Sequence, residues 1–299
     1  MKTKKYILAL SMIAAMFTLG SCNDDNDLDS NSIFNVKTAQ AKQNEFDAWL
    51  LKNFTNPYNI RLIYRLEDME ADFDYTVAPA DFELSQVLAK IVKYAWLEAY
   101  DEAAGIDFTR TYVPKIIHFI GSAQYENNGT MILGTAEGGL KVTLNLVNSL
   151  QINRDFLNTY YFRTMHHEFT HILNQTKNYD TDYEKISEGL YVSGDWYLTT
   201  DAAARKLGFI RNYSMSAPGE DYADMVSMYV CHTPTEWAAF MTQAGTSGAA
   251  ILDQKLEMIK TYFTNEWNID LDELRDIVNR RMDDVCNGIL DLSPIVTID

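Results

Sequence analysis

The 299-residue chain carries 25 Lys and Arg against 42 Asp and Glu, a formal charge of -17. So acidic a chain repels a phosphate backbone, which argues against nucleic acid as a partner. Three cysteines are too few for a disulfide framework, and no apolar run after the opening residues is long enough to cross a bilayer.

In chain order, Lys2, Lys4 and Lys5 precede an apolar run, Ile7 to Leu19, that ends in Leu19-Gly20-Ser21-Cys22. This resembles a bacterial lipoprotein signal over residues 1–21, cleaved before Cys22, which then carries the lipid. An ordinary secretory leader with a chance cysteine is the competing reading. Residues 22–38 hold Asp24, Asp25, Asp27 and Asp29 without apolar periodicity, which predicts a flexible acidic tether. Such a stretch behind a lipidated cysteine also resembles surface-export signals of Gram-negative lipoproteins. Residues 39–299 are then expected to form the folded domain, sheet-containing to about residue 150 and helical beyond.

Helical spacing of Phe46, Trp49, Leu50 and Phe54 predicts a helix over 41–54, and alternation predicts a strand over 59–66. Pro79 and Asp81 open a second helix to about residue 104. Short β-rich runs follow at 115–121, 130–133 and 141–147, set apart by the turn signals Asn127-Asn128-Gly129 and Gly138-Gly139. They predict a small mixed or antiparallel sheet, with one of these runs, for example residues 139–147, as an edge along which an extended peptide pairs. From Asp155 onward the pattern is helical, near 155–176, 199–207, 219–231, 234–243, 247–266 and 270–284. Strands first and helices after is the order of an α+β domain.

The chemistry sits in His166-His167-Glu168-Phe169-Thr170-His171, which contains H-E-x-x-H inside a predicted helix. Positions four apart are about 40° apart around a helix, so His167 and His171 present their imidazoles to one point. Glu168 stands beside that point, where it can take a proton from a catalytic water. Two buried, hydrogen-bonded histidines are the bland alternative, and a structural zinc is disfavoured because such sites close four positions and prefer thiolates. His166 projects from another sector, as a surface or packing residue.

A catalytic Zn2+ needs a third protein ligand. A metzincin arrangement is excluded, because Asn174 and Lys177 stand where that pattern needs Gly and His. Pro218-Gly219-Glu220-Asp221-Tyr222-Ala223-Asp224 opens another helix, with Glu220 and Asp224 on one face. Glu220 is the candidate ligand, and Asp224 the carboxylate that accepts the far N–H of a ligand imidazole. Glu184, Glu188 and Asp195 remain rivals for the third position, and an acidic first turn stabilised by the helix dipole is the plainer reading.

H-E-F-T-H followed by E-D-Y-A-D resembles the gluzincin clan, and in particular the catalytic domain of anthrax lethal factor, with Asp224 in place of that enzyme's second Glu. The resemblance implies a zincin-like metallopeptidase fold. It also implies a role for Tyr213, seven residues before Glu220, in stabilising charge on the carbonyl oxygen. With its lipobox and acidic tether, the chain resembles the substrate import-associated zinc metallohydrolase lipoproteins, also called "putative zinc-binding metallopeptidases". What this implies is a surface-exposed outer-membrane protein, bound to the membrane through its lipid alone. It would cleave peptide or glycopeptide substrate beside importer components. The competing function is a catalytically inactive surface lipoprotein that captures glycans or peptides.

Overall fold

In the computed structural model, residues 43–67, 75–125, 131, 132, 134–137 and 140–297 are described, all but the first within a unit spanning Asn44–Asp299. Cys22, the tether and the two glycine turns expected near 127–129 and 138–139 lie outside those residues. Helix α1 (Glu45–Leu50) starts at a capping box, in which Asn44 and Asp47 each accept the other's backbone N–H. A π-helical turn (Leu51–Thr55) extends it, and Asn59, at φ 57°, turns the chain into β1 (Arg61–Ile63).

Asp81 caps α2 (Phe82–Val92), which runs through a π-helical turn (Lys93–Leu97) into α3 (Glu98–Ala104). A further helix that the sequence pattern did not announce, α4 (Ile106–Tyr112), leads to β2 (Ile116–Phe119). Next, β3 (Gln124–Tyr125) and β4 (Met131–Ile132) form a two-stranded antiparallel ribbon. The chain then enters β5 (Gly134–Glu137) and β6 (Lys141–Leu144).

The four-stranded sheet has the order β1-β2-β6-β5. Strands β1, β2 and β6 are parallel, and only β5 runs against its neighbour β6. The sheet is therefore mixed with a parallel centre, so of the two arrangements expected the antiparallel one is ruled out. Parallel strands need a long crossover, and α2, α3 and α4 supply it between β1 and β2. All four residues of β6 are buried, as central parallel strands require. The same order corrects the expected peptide-binding edge: β6 is paired on both sides, and the strand at the end of the order is β5.

The helical half comprises α5 (Arg154–Leu157), a π-helical turn (Asn158–Phe162), α6 (Arg163–Thr176), α7 (Asp182–Ile186) and α8 (Asp201–Lys206). It ends with α9 (Pro218–Cys231), α10 (Pro234–Trp267) and α11 (Leu271–Cys286). Gly245, at φ 67°, breaks α10 near where the sequence pattern separates two helices. Beyond that break Gly248 lies under α8, so close that a Cβ there would stand 2.2 Å from the carbonyl oxygen of Arg205. Cys231 and Cys286 are free thiols. Burial pushes the Cys231 thiol up to about 12.

One ion pair is sealed inside this half. Lys255 on α10 and Asp221 on α9 are both fully buried and 2.6 Å apart. The ammonium also donates to the carbonyl of Gly208 at 2.8 Å, and Tyr191 donates its hydroxyl to the same Asp221 oxygen at 3.1 Å. Burial raises the Asp221 pKa to about 6 even with Lys255 beside it. Removing one partner of such a pair leaves an uncompensated charge, a loss of about 3–5 kcal/mol. Urea unfolding of Lys255→Met is expected to show a loss of that size, much of it restored in Asp221→Leu/Lys255→Met. A single variant as stable as the parent would contradict this account.

Candidate metal centre

Two helices build the site. On α6 the buried Met165, Phe169 and Leu173 face the core, where Phe169 packs edge-on against Tyr100 with ring centroids 4.8 Å apart. That choice of core face turns His167 and His171 toward α9. Helix α9 begins at Pro218, whose fixed φ suits a first helical position, and its first turn carries Glu220 and Asp221. Acidic side chains there complement the helix dipole, so the plain electrostatic reading of these residues holds alongside the functional one. Glu220 and Asp224 face the two histidines across the helix pair.

His167 Nε2 lies 3.0 Å from Glu220 Oε2 and 3.1 Å from His171 Nε2, and His171 Nε2 lies 3.4 Å from Glu220 Oε2. Three ligand atoms on a tetrahedron of radius about 2.0–2.1 Å stand about 3.3–3.4 Å apart. The observed triangle is within a few tenths of an ångström of that spacing, so the donor set fits a small divalent cation. Among the described residues, this is the group of His, Cys, Asp or Glu side chains with metal-ligand convergence. Glu184 instead accepts a hydrogen bond from the Tyr179 hydroxyl, and neither it, Glu188 nor Asp195 belongs to the group.

Asp224 fills the place expected for an orienting carboxylate. Its Oδ1 lies 3.1 Å from His167 Nδ1, and the side chain is buried. An ionised carboxylate only accepts, so His167 donates from Nδ1 to Asp224, and it is loss of the proton on Nε2 that frees a lone pair toward His171 and Glu220. Two further donors hold the carboxylate. Arg211 reaches it through Nε at 2.7 Å and Nη2 at 2.9 Å, and Ser214 through its hydroxyl at 2.9 Å.

Tyr213, carried by the same loop, lies at the site. Its ring centroid is 6.0 Å from that of His167, the Arg211 guanidinium sits 5.0 Å from that centroid, and Trp196 packs edge-on at 5.1 Å. Burial, and then the negative charges of Glu220 and Asp224, raise its pKa and keep the phenol protonated. Glu168 is half-buried, and burial raises its pKa against the opposing pull of His167 and His171. His166 is a packing residue and not a surface one. It is fully buried beside the Tyr100 hydroxyl, 2.9 Å from Nδ1, and burial pushes its pKa down to about 3.

Arg211 and Ser214 are the residues that sequence reasoning missed. Neither belongs to a motif, and the loop that carries them shows no periodicity. The only available signal was a cation upstream of a buried acid that needs one.

Two imidazoles one helical turn apart and a carboxylate from a second helix form a donor set that suits a metal ion. The chain belongs to the family described as "Putative zinc-binding metallo-peptidase", which matches residues 38–272. It is similar to a crystal structure from Bacteroides caccae ATCC 43185, described in the same terms. The two sequences are 50% identical, the match covers 84% of this chain and 96% of that one, and the TM-score is 0.75. No curated protein matches the chain.

Protons compete with a cation for this triangle. Burial lowers the His167 pKa, but the hydrogen bonds to Asp224 and Glu220 outweigh it and raise the value to about 9. The raised pKa means that the folded metal-free protein holds this proton more tightly than the unfolded chain. Its contribution is complete below about 6.5, the unfolded value, and is lost as pH climbs through about 9. Zinc affinity runs the other way. Chelator competition between pH 6 and 8 is expected to show affinity rising about tenfold per pH unit for this one displaced proton. A flat profile would mean that His167 is not the group displaced.

Proposed function

We propose that the protein is a zinc-dependent peptidase, with His167, His171 and Glu220 as the protein ligands of Zn2+ and Glu168 as the general base. The observation that carries this reading is the 3.0–3.4 Å triangle of Nε2, Nε2 and Oε2 atoms. The Lewis acidity supplied there when zinc is bound polarises a carbonyl and lowers the pKa of a water toward about 7. Glu168, with its pKa raised by burial, takes the proton of the attacking water and returns it to the leaving amine. Tyr213 keeps its proton and donates a hydrogen bond to the charge that develops on the carbonyl oxygen. Asp224 holds the His167 tautomer.

The substrate is a peptide or glycopeptide bound in extended form. Strand β5 lies against α6 and ends the strand order, so its outer side is where a substrate backbone pairs. Backbone pairing positions the scissile bond without demanding one particular side chain. In the same proposal, Cys22 carries the lipid that anchors the chain to the outer membrane. The acidic tether then holds the domain at the cell surface, beside the components of a nutrient importer.

Metal analysis and peptide-library cleavage test the assignments together. Glu168→Gln is expected to keep stoichiometric zinc and lose hydrolysis by at least about 10²-fold, whereas Glu220→Ala loses zinc. A zinc-loaded Glu168→Gln protein that still cleaves would remove Glu168 from the reaction. Full zinc in Glu220→Ala would move the third ligand elsewhere.

A further inference from the structure

The loop between α8 and α9 is fastened to α9 at two points. Gly208 accepts from Lys255, which holds Asp221, and three residues further on Arg211 begins the set of bonds to Asp224. Both fastenings lie just beyond Glu220, at the next residue and one turn later. The loop therefore governs where the first two turns of α9 stand relative to α6.

Within this loop Arg211 holds the decisive contacts. Asp224 Oδ2 is taken by Arg211 Nε and by the Ser214 hydroxyl, while Oδ1 is shared between Arg211 Nη2 and His167 Nδ1. A carboxylate bound by a two-pronged guanidinium cannot rotate about its Cβ–Cγ bond without losing both bonds. The oxygen presented to His167, and with it the plane of the imidazole, is thus set from behind. The guanidinium also neutralises part of a charge that is otherwise buried beside a histidine, which keeps Asp224 an acceptor. Arg163, the other cation close to Asp224, directs its donors at the backbone carbonyls of Asn158 and Thr159 and at the Met228 sulfur. It does not duplicate the fork.

The same guanidinium covers the ring of Tyr213. One side chain therefore braces both the histidine-orienting acid and the phenol of the site. We propose that Arg211 is a positioning residue of the metal centre, fixing the orientation of His167 through Asp224, with Ser214 as its assistant. This rests on the reading of His167 as a zinc ligand.

Zinc affinity, measured by competition with a chelator, reads the effect without any substrate. Loss of partners behind a ligating histidine typically weakens metal binding 10–100-fold. Arg211→Met is expected to fall in that range, and Ser214→Ala to lose severalfold. Asp224→Asn with Arg211→Met is expected to bind no more weakly than Asp224→Asn alone, because both variants break one chain of contacts. A purely structural arginine would give losses that multiply. Arg211→Lys keeps the charge but not the fork, and serves where the methionine variant does not fold. It is expected to lose at least about fivefold, and thermal melting of the zinc-free forms separates this from general destabilisation. Affinity within twofold of the parent in Arg211→Met or Arg211→Lys, or multiplicative losses in the double variant, would overturn the proposal while leaving the zinc reading intact. A parent protein that takes up no zinc would sink both.

Discussion

The contact between α6 and α9 is the constraint on which the site depends. Each helix offers two side chains spaced four apart, His167 and His171 on one, Glu220 and Asp224 on the other. They meet as two pairs because Phe169 and Leu173 are committed to the core behind α6 and Tyr222 and Val226 to the core around α9. A slide of one residue along either helix would break the convergence, bringing His166 or Glu168 to the place of His167, or Gly219 or Asp221 to that of Glu220. The convergence of these side chains is a property of helix packing before it is one of chemistry.

Behind that contact is an unusual density of buried charge. Asp221 and Asp224 are both inaccessible, on neighbouring turns of one helix, and each has its own cation from a different direction, Lys255 from α10 and Arg211 from the loop. Charges in a dry interior are tolerated only when paired and hydrogen-bonded. The pairing divides the work: Lys255 fixes the helix in the fold, and Arg211 fixes one side chain in the site. The division also explains why the loop from Gly208 to Ser214 has a defined course although its regular structure is limited to the start of a 3-10 turn (Tyr213–Met215).

Much of the site was legible in the sequence because a helix converts spacing into direction. His167, His171, Glu220 and Asp224 could be assigned to two faces by counting alone, and the structure brings those faces together. The sheet was harder to read. Residues 116–119 and 141–144 have the composition of strands, but nothing local says which way a strand's partner runs. The helical crossover makes β1 and β2 parallel, the return of the chain through β5 makes β6 parallel to β2, and α4 was invisible in the pattern. For the same reason residues 141–144 looked like an edge although they are paired on both sides. Arg211 lay beyond reach because its role is set by what Asp224 needs across space.

Cys231 and Cys286 are unbridged, although Cys231 sits in the core among α9, α11 and the turn before α6, where Asn158 donates to its carbonyl oxygen. With its thiol pushed up to about 12, Cys231 offers almost no thiolate at neutral pH to oxidants or alkylating reagents. Among the described residues no covalent cross-link spans the fold, so its cohesion rests on close packing and on hydrogen-bonded buried charge.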